Sequence, residues 1–171
     1  GSLPIGAEVV VPLPFPVVSF EVRYTYAYVT LVLDGLGARY PFLRQETIGR
    51  SVLGRGIDAV QIGNGPKEVG YNAAHHANEW ITTPVLLRYL ERYAAAYASS
   101  GTIGGQPAEE LYRTTSLYLV PLVNPDGVDL VTGAIQPEDR AYQQAKALSA
   151  FYPSIPFPSG WKANICLLYT S

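Results

Sequence analysis

The sequence predicts an α/β protein, and three observations carry that expectation. Apolar residues recur at three- and four-residue steps in three separate segments, the signature of amphipathic helices. Short β-rich runs bounded by Gly, Pro and Asn lie between them. One nearly continuous apolar run, Ser116–Val123, reads as a strand buried on both faces. Strands and helices alternate along the chain, which is the α/β pattern. With 171 residues, 48% hydrophobic and 15% charged, there is enough apolar chain to bury a substantial core and too little charge for a disordered one.

Residues 1–19 stand apart, because prolines at 4, 12, 14 and 16 deny backbone donors to any pairing strand. Val9–Val11 reads as a short strand and Pro12–Pro16 as a stiff extended linker, so a main domain is expected from about Phe20. Tyr26, Val29, Val32, Leu33, Leu36 and Tyr40 predict a helix over 27–39, ended by Pro41. Thr47–Val52 and Ile57–Ile62 read as a hairpin around Leu53-Gly-Arg-Gly56. Gly63-Asn-Gly-Pro66 is a turn, and Val69–Ala74 a further strand. The strongest helical pattern covers 81–98: Thr82 and Thr83 are capping types, Pro84 suits a first turn, and Leu86, Leu90, Tyr93 and Tyr97 share a face. Ser99-Ser-Gly101 stops it. After the central strand Asn124-Pro-Asp-Gly127 reads as a turn, and Pro137–Tyr152 as a last helix.

Several function classes are excluded or disfavoured. A net charge of −2 leaves no electrostatic footprint for nucleic acid or an anionic membrane. No apolar run approaches the roughly 20 residues of a membrane span, and no signal-peptide pattern opens the chain. The single cysteine, Cys166, excludes an internal disulfide, and in its tail position, far from either histidine, it reads as inert. Gly54-Arg-Gly-Ile-Asp-Ala59 matches a dinucleotide-binding pattern, but a strand follows it where a helix is required, so it reads as a hairpin turn. No G-x-S-x-G elbow is present. Absence of methionine leaves no initiator, so the chain is expected to be a processed product or a piece of something longer.

The chemistry concentrates in His75-His-Ala-Asn-Glu-Trp80, which holds both histidines of the chain. It lies where a strand ends and the strongest helix begins, the usual place for ligand sites in α/β proteins. His76 and Glu79 are three apart, so in a tight turn entering a helix their side chains point to one side. An imidazole nitrogen and a carboxylate oxygen at about 2.0–2.2 Å suit zinc. A histidine and an acid three apart are not specific alone; their position at the strand–helix junction makes the pair a candidate. Asp126 reads either as a group near this site or as an ordinary turn residue.

His76-Ala-Asn-Glu-Trp-Ile81 followed by a long helix resembles the H-x-x-E-W motif of the zinc carboxypeptidases. Tyr24-Thr-Tyr26, Tyr40-Pro41, Ile48-Gly-Arg-Ser51, Gly54-Arg55 and Asn124-Pro-Asp-Gly127 resemble further family stretches in the same order, over about 22–165. Leu3–Pro12 resembles the closing strand of a LysM peptidoglycan-binding module. Phe157–Asn164 is similar to bacterial members that cleave γ-D-glutamyl-diaminopimelate bonds. The resemblance implies a mixed twisted sheet flanked by helices, as the N-terminal half of the catalytic domain. It implies Zn2+ as cofactor, with His76 and Glu79 as metal ligands and Asn78 and Trp80 shaping the pocket around them. Lys162 falls where the family carries an oxyanion-stabilising arginine, and is assigned to substrate binding. The third ligand histidine and the general-base glutamate fall after the last residue of the chain, so these 171 residues are expected to be inactive alone. The implied domains are 1–19, a LysM-like tail with a proline-rich linker; 20–165, the peptidase part; and 166–171, a non-native tail. The implied partner is a peptide, specifically a cell-wall peptide, and the implied location is the cell envelope or the exterior. Two other functions fit the resemblance: an ordinary metallocarboxypeptidase releasing C-terminal residues, and a non-catalytic cell-wall-binding protein.

Overall fold

The computed structural model describes residues 15–163. The LysM-like stretch and the tail containing Cys166 lie outside the described residues. Helix α1 spans Tyr26–Arg39, within one residue of its expected start. Thr25 caps it, its hydroxyl accepting from the Tyr28 N–H. Its buried stripe is Val29, Val32, Leu33 and Leu36, and Tyr40 leaves helical geometry just before Pro41.

Strands β1 (Arg44–Arg50) and β2 (Gly56–Ile62) form the expected antiparallel hairpin. The first strand begins three residues earlier than expected. It is the outer strand of its sheet and largely exposed, so its polar sequence carries no alternating signal, while the apolar Val52 and Leu53 belong to the turn. The hairpin turn excludes a dinucleotide loop at Gly54: Ser51 N–H donates to the Arg55 carbonyl at 2.8 Å.

Strand β3 (Lys67–Asn72) leads to helix α2 (Thr82–Ala98). Next come a two-residue pair, β4 (Thr102–Ile103) and β5 (Gln106–Pro107), then helix α3 (Ala108–Thr114) and strand β6 (Thr115–Val120). The sheet order is β1-β2-β6-β3. β6 runs antiparallel to β2 and parallel to β3, so the sheet is mixed. The parallel pair requires a long crossover, which α2 and α3 supply. Val60 pairs with Leu119 and Ile62 with Leu117, placing four buried side chains on one face. They join Leu87, Leu90 and Tyr93 of α2 and the stripe of α1 in a single core. Gly63, at φ +93°, lies under β6, where a Cβ would stand 2.0 Å from the Thr115 carbonyl oxygen; only glycine fits.

Asn124-Pro-Asp-Gly127, expected as a turn, is instead the start of helix α4 (Pro125–Thr132). Asn124 accepts from the Gly127 N–H, Pro125 occupies the first turn, and Gly133 at φ +84° ends the helix. The last helix, α5 (Arg140–Ser149), is shorter at both ends than the expected 137–152. The β4–β5 pair and α3 carry no expectation from the sequence. The pair turns on Gly104 and Gly105, both at positive φ. Val18 is fully buried in the core and the Val17 and Val18 amides bond to Glu91, so residues 17–18 pack on the domain ahead of the expected start at Phe20.

Candidate metal centre

After β3 the chain reverses sharply. Ala74 takes a left-handed φ of +52°, uncommon for a residue with a Cβ, and its surroundings hold it there. Its N–H donates to the Thr82 hydroxyl at 2.9 Å and its carbonyl accepts from the Asn124 N–H at 3.1 Å. Ala73 donates to the Val120 carbonyl at 3.0 Å and accepts from the Val123 N–H at 3.1 Å.

The reversal delivers the histidines to a short 3-10 turn, Ala77–Glu79, with His76 as its extended N-cap residue. Glu79 N–H donates to the His76 carbonyl at 3.0 Å. Such a turn has three residues per revolution, so side chains three apart eclipse one another. His76 and Glu79 flank this single turn, and both are exposed. Ala77 between them is buried, and its N–H donates to the Lys162 carbonyl at 3.0 Å. That bond fastens the Trp161–Ala163 segment beside the turn. Lys162, 83 positions beyond Glu79 in sequence numbering, is thus brought to the motif through its backbone, with its side chain exposed. Thr82 closes the far end, its hydroxyl donating to the Glu79 carbonyl at 2.8 Å.

The donor set fits zinc: one imidazole nitrogen and one carboxylate oxygen, both types that zinc accepts, on two exposed residues one turn apart. Among the described residues no group of three or more His, Cys, Asp or Glu side chains is assembled for a metal. Asn78 has its Oδ1 buried with no hydrogen-bond partner among the described residues, while Trp80 packs half-buried on the main core. A cavity of about 420 Å³ lies between the end of α5 and the 155–163 segment, lined by Leu148, Tyr152, Ile155, Trp161, Lys162 and Ala163; no residue of the turn lines it.

Asn124 escaped notice in the sequence as a site residue, although an Asn-Pro helix start is a recognisable signal. Besides capping α4 it donates from Nδ2 to the His75 carbonyl at 3.2 Å. Asp126 sits in a buried network that ties the β1–β2 turn to α4. It accepts from Ser51 Oγ at 2.8 Å, the Leu53 N–H at 3.0 Å and Arg55 Nη1 at 3.0 Å. Arg55 Nε also pairs with Asp129 at 2.9 Å, and Asp129 accepts from the Tyr26 N–H at 2.7 Å. Burial pushes the Asp129 carboxyl above its ordinary range, despite the opposing pull of Tyr26 N–H and Arg55.

Comparison with known proteins gives a consistent answer. The profile of the zinc carboxypeptidases matches residues 29–150. The chain is 42% identical over 153 residues to a γ-D-glutamyl-L-diamino acid endopeptidase 1 of Lysinibacillus sphaericus, covering 90% of this chain and 38% of that protein. It is 41% identical over 128 residues to the uncharacterized protein YqgT of Bacillus subtilis, covering 74% of this chain and 33% of that one. The chain thus spans about two fifths or less of these relatives. Bovine thrombin-activatable fibrinolysis inhibitor, solved in complex with a tick carboxypeptidase inhibitor, superposes with a TM-score of 0.57. The match covers 84% of this chain and 38% of that one at 16% identity, a likeness of fold.

Proposed function

The chain belongs to the zinc carboxypeptidase family, and on that premise we propose that His76 and Glu79 hold the catalytic zinc of a peptidase acting on γ-D-glutamyl-diamino acid bonds of cell-wall peptides. The observation that carries the reading is the 3-10 turn after β3, which sets these two exposed donors one turn apart. The substrate assignment is supported by the identity to the Lysinibacillus endopeptidase and extends to the whole protein, which acts at the cell envelope or outside the cell.

His76 would offer a ring nitrogen and Glu79 a carboxylate oxygen to the metal from the two ends of the turn. Zinc bound there supplies Lewis acidity, lowering the pKa of a water and polarising the scissile carbonyl. Asn78 and Trp80 shape the wall behind the two donors. Lys162 brings a positive charge to the substrate carboxylate or the developing oxyanion, as a point charge without the two-pronged geometry of arginine. Hydrolysis adds the water oxygen to the carbonyl carbon, breaks the C–N bond and leaves the amine protonated. Two protein donors bind zinc less firmly than three, so the pair by itself is expected to bind it weakly.

Calorimetric titration of zinc into this chain tests the ligands. Weak one-to-one binding that disappears in both His76→Ala and Glu79→Ala is the expected result; binding unchanged in both variants overturns the assignment. The whole protein is then incubated with L-Ala-γ-D-Glu-meso-diaminopimelate and the products are weighed by mass spectrometry. Release of diaminopimelate supports the substrate reading. An intact tripeptide, with residues removed from the C-termini of α-linked peptides, replaces it with ordinary carboxypeptidase action.

A further inference from the structure

We propose that Asn124 is a positioning residue for His76, setting the direction of the imidazole through the peptide bond that precedes it; this rests on reading His76 as a zinc ligand. The argument begins with what the Asn124 side chain does. Its Oδ1 accepts from the Gly127 N–H at 3.0 Å, and its Nδ2 donates to the His75 carbonyl at 3.2 Å. The two bonds fix the amide orientation, because only nitrogen can donate and only the oxygen can accept. The His75 carbonyl belongs to the peptide plane that carries the His76 nitrogen. Holding that oxygen fixes the plane, and with it the axis about which His76 turns into the 3-10 turn.

Three further observations support a built device. Asn124 is only 4% exposed, so its bond from Gly127 is buried and its bond to His75 is part-buried, which limits competition from water. Its own backbone N–H donates to the Ala74 carbonyl at 3.1 Å, so one residue grips the strained reversal at Ala74 and the plane before His76 together. The space for the side chain is reserved by Gly127: a Cβ there would lie 2.6 and 2.7 Å from the Asn124 amide atoms and 2.8 Å from the Ala163 carbonyl oxygen. Ala163 belongs to the segment that Lys162 bonds to Ala77. The first turn of α4 therefore braces the motif from two directions.

The capping and positioning roles separate by substitution. Asn124→Asp keeps the acceptor for Gly127 and removes the donor to His75. Asn124→Ser keeps a capping oxygen on a side chain too short to reach His75, and adds no charge. In each variant, without metal, the Ala77 and Glu79 amides are expected to exchange about fivefold faster, the ratio one hydrogen bond of ordinary strength is worth. The Val128 amide, inside α4, is expected to hold its rate. Zinc affinity measured by calorimetry falls in parallel, while the wild-type titration with its His76→Ala control reports separately on the ligand assignment. Unchanged exchange at Ala77 and Glu79 in both variants overturns the proposal, as does equal acceleration of Val128, which would make Asn124 a cap only. In the unmutated chain one Asn124 side-chain amide proton is expected to exchange slowly; exchange at the free-solvent rate overturns the proposal even if neither variant folds.

Discussion

Glu91→Ala tests the polar anchor of the domain. Glu91 lies midway along α2 and is 5% exposed. Its carboxylate accepts from the Val17 N–H at 2.5 Å, the Val18 N–H at 3.3 Å and Arg88 Nη1 at 3.0 Å, with Arg39 Nη1 at 3.6 Å. The alanine variant leaves two inward-facing amides without an acceptor and two guanidinium groups without their counter-charge. A hydrogen bond to a charged group contributes about 1.5–3 kcal/mol, and the short Val17 bond counts in full. The Val18 bond is long and adds less. The arginine side chains keep 13% and 26% exposure, so water recovers part of their loss and each pair adds at most about 1 kcal/mol. Together the loss is about 3–5 kcal/mol, the range for breaking a buried pair. For a chain of this size that lowers the thermal midpoint by roughly 6–20 °C. Glu91→Gln, which keeps an oxygen for Val17, should lose less. Circular dichroism melts with urea titrations as a check measure both. A Glu91→Ala variant within about 1 kcal/mol of wild type refutes the account, because surface-like substitutions fall in that range.

Two other predictions concern buried polar groups. Tyr93 is 1% exposed, its hydroxyl has no hydrogen-bond partner among the described residues, and burial pushes its pKa up to about 12. Tyr93→Phe should therefore stabilise the fold by about 1 kcal/mol in a urea titration, and a loss of stability would show that the hydroxyl is satisfied. The Asp129 carboxyl titrates higher when folded than its ordinary 3.8, so the folded state holds the proton more tightly than the unfolded chain. Its favourable contribution is complete below the ordinary value and is lost as pH rises through the raised one. Wild type should therefore lose ground to Asp129→Asn as melts are repeated at rising pH above about 4; an advantage that grows with pH contradicts the ordering of causes.

The helical stripe of α1, the hairpin around Gly54, the long helix α2 and the apolar strand β6 were all legible as local pattern, because each buries one face and periodicity records burial. The candidate pair His76 and Glu79 stood out for a local reason too: its spacing and its place after a strand are properties of a few consecutive residues. Elements whose burial is not periodic were hidden. Strand β1 is a polar outer strand, α3 is seven residues long, and α4 is buried almost all round, so none shows a single apolar face. The start of α4 looked like a turn because Asn, Pro, Asp and Gly serve both as turn formers and as helix-start residues. Capping by Asn124 with continuation into Val128 and Leu130 decided between them.

Local chemistry by itself singled out the candidate pair His76 and Glu79 and the alternation of elements. Tertiary structure decided which distant groups meet, both in the network that ties the β1–β2 turn to α4 and around the 75–80 motif. Asp126 meets Ser51 and Arg55 more than 70 positions away, Asn124 meets His75 across 49, and the Lys162 carbonyl meets Ala77. Such contacts leave no spacing signal, because a buried carboxylate or amide needs a partner in space while the sequence leaves open which one the packing of β6 and α4 will bring.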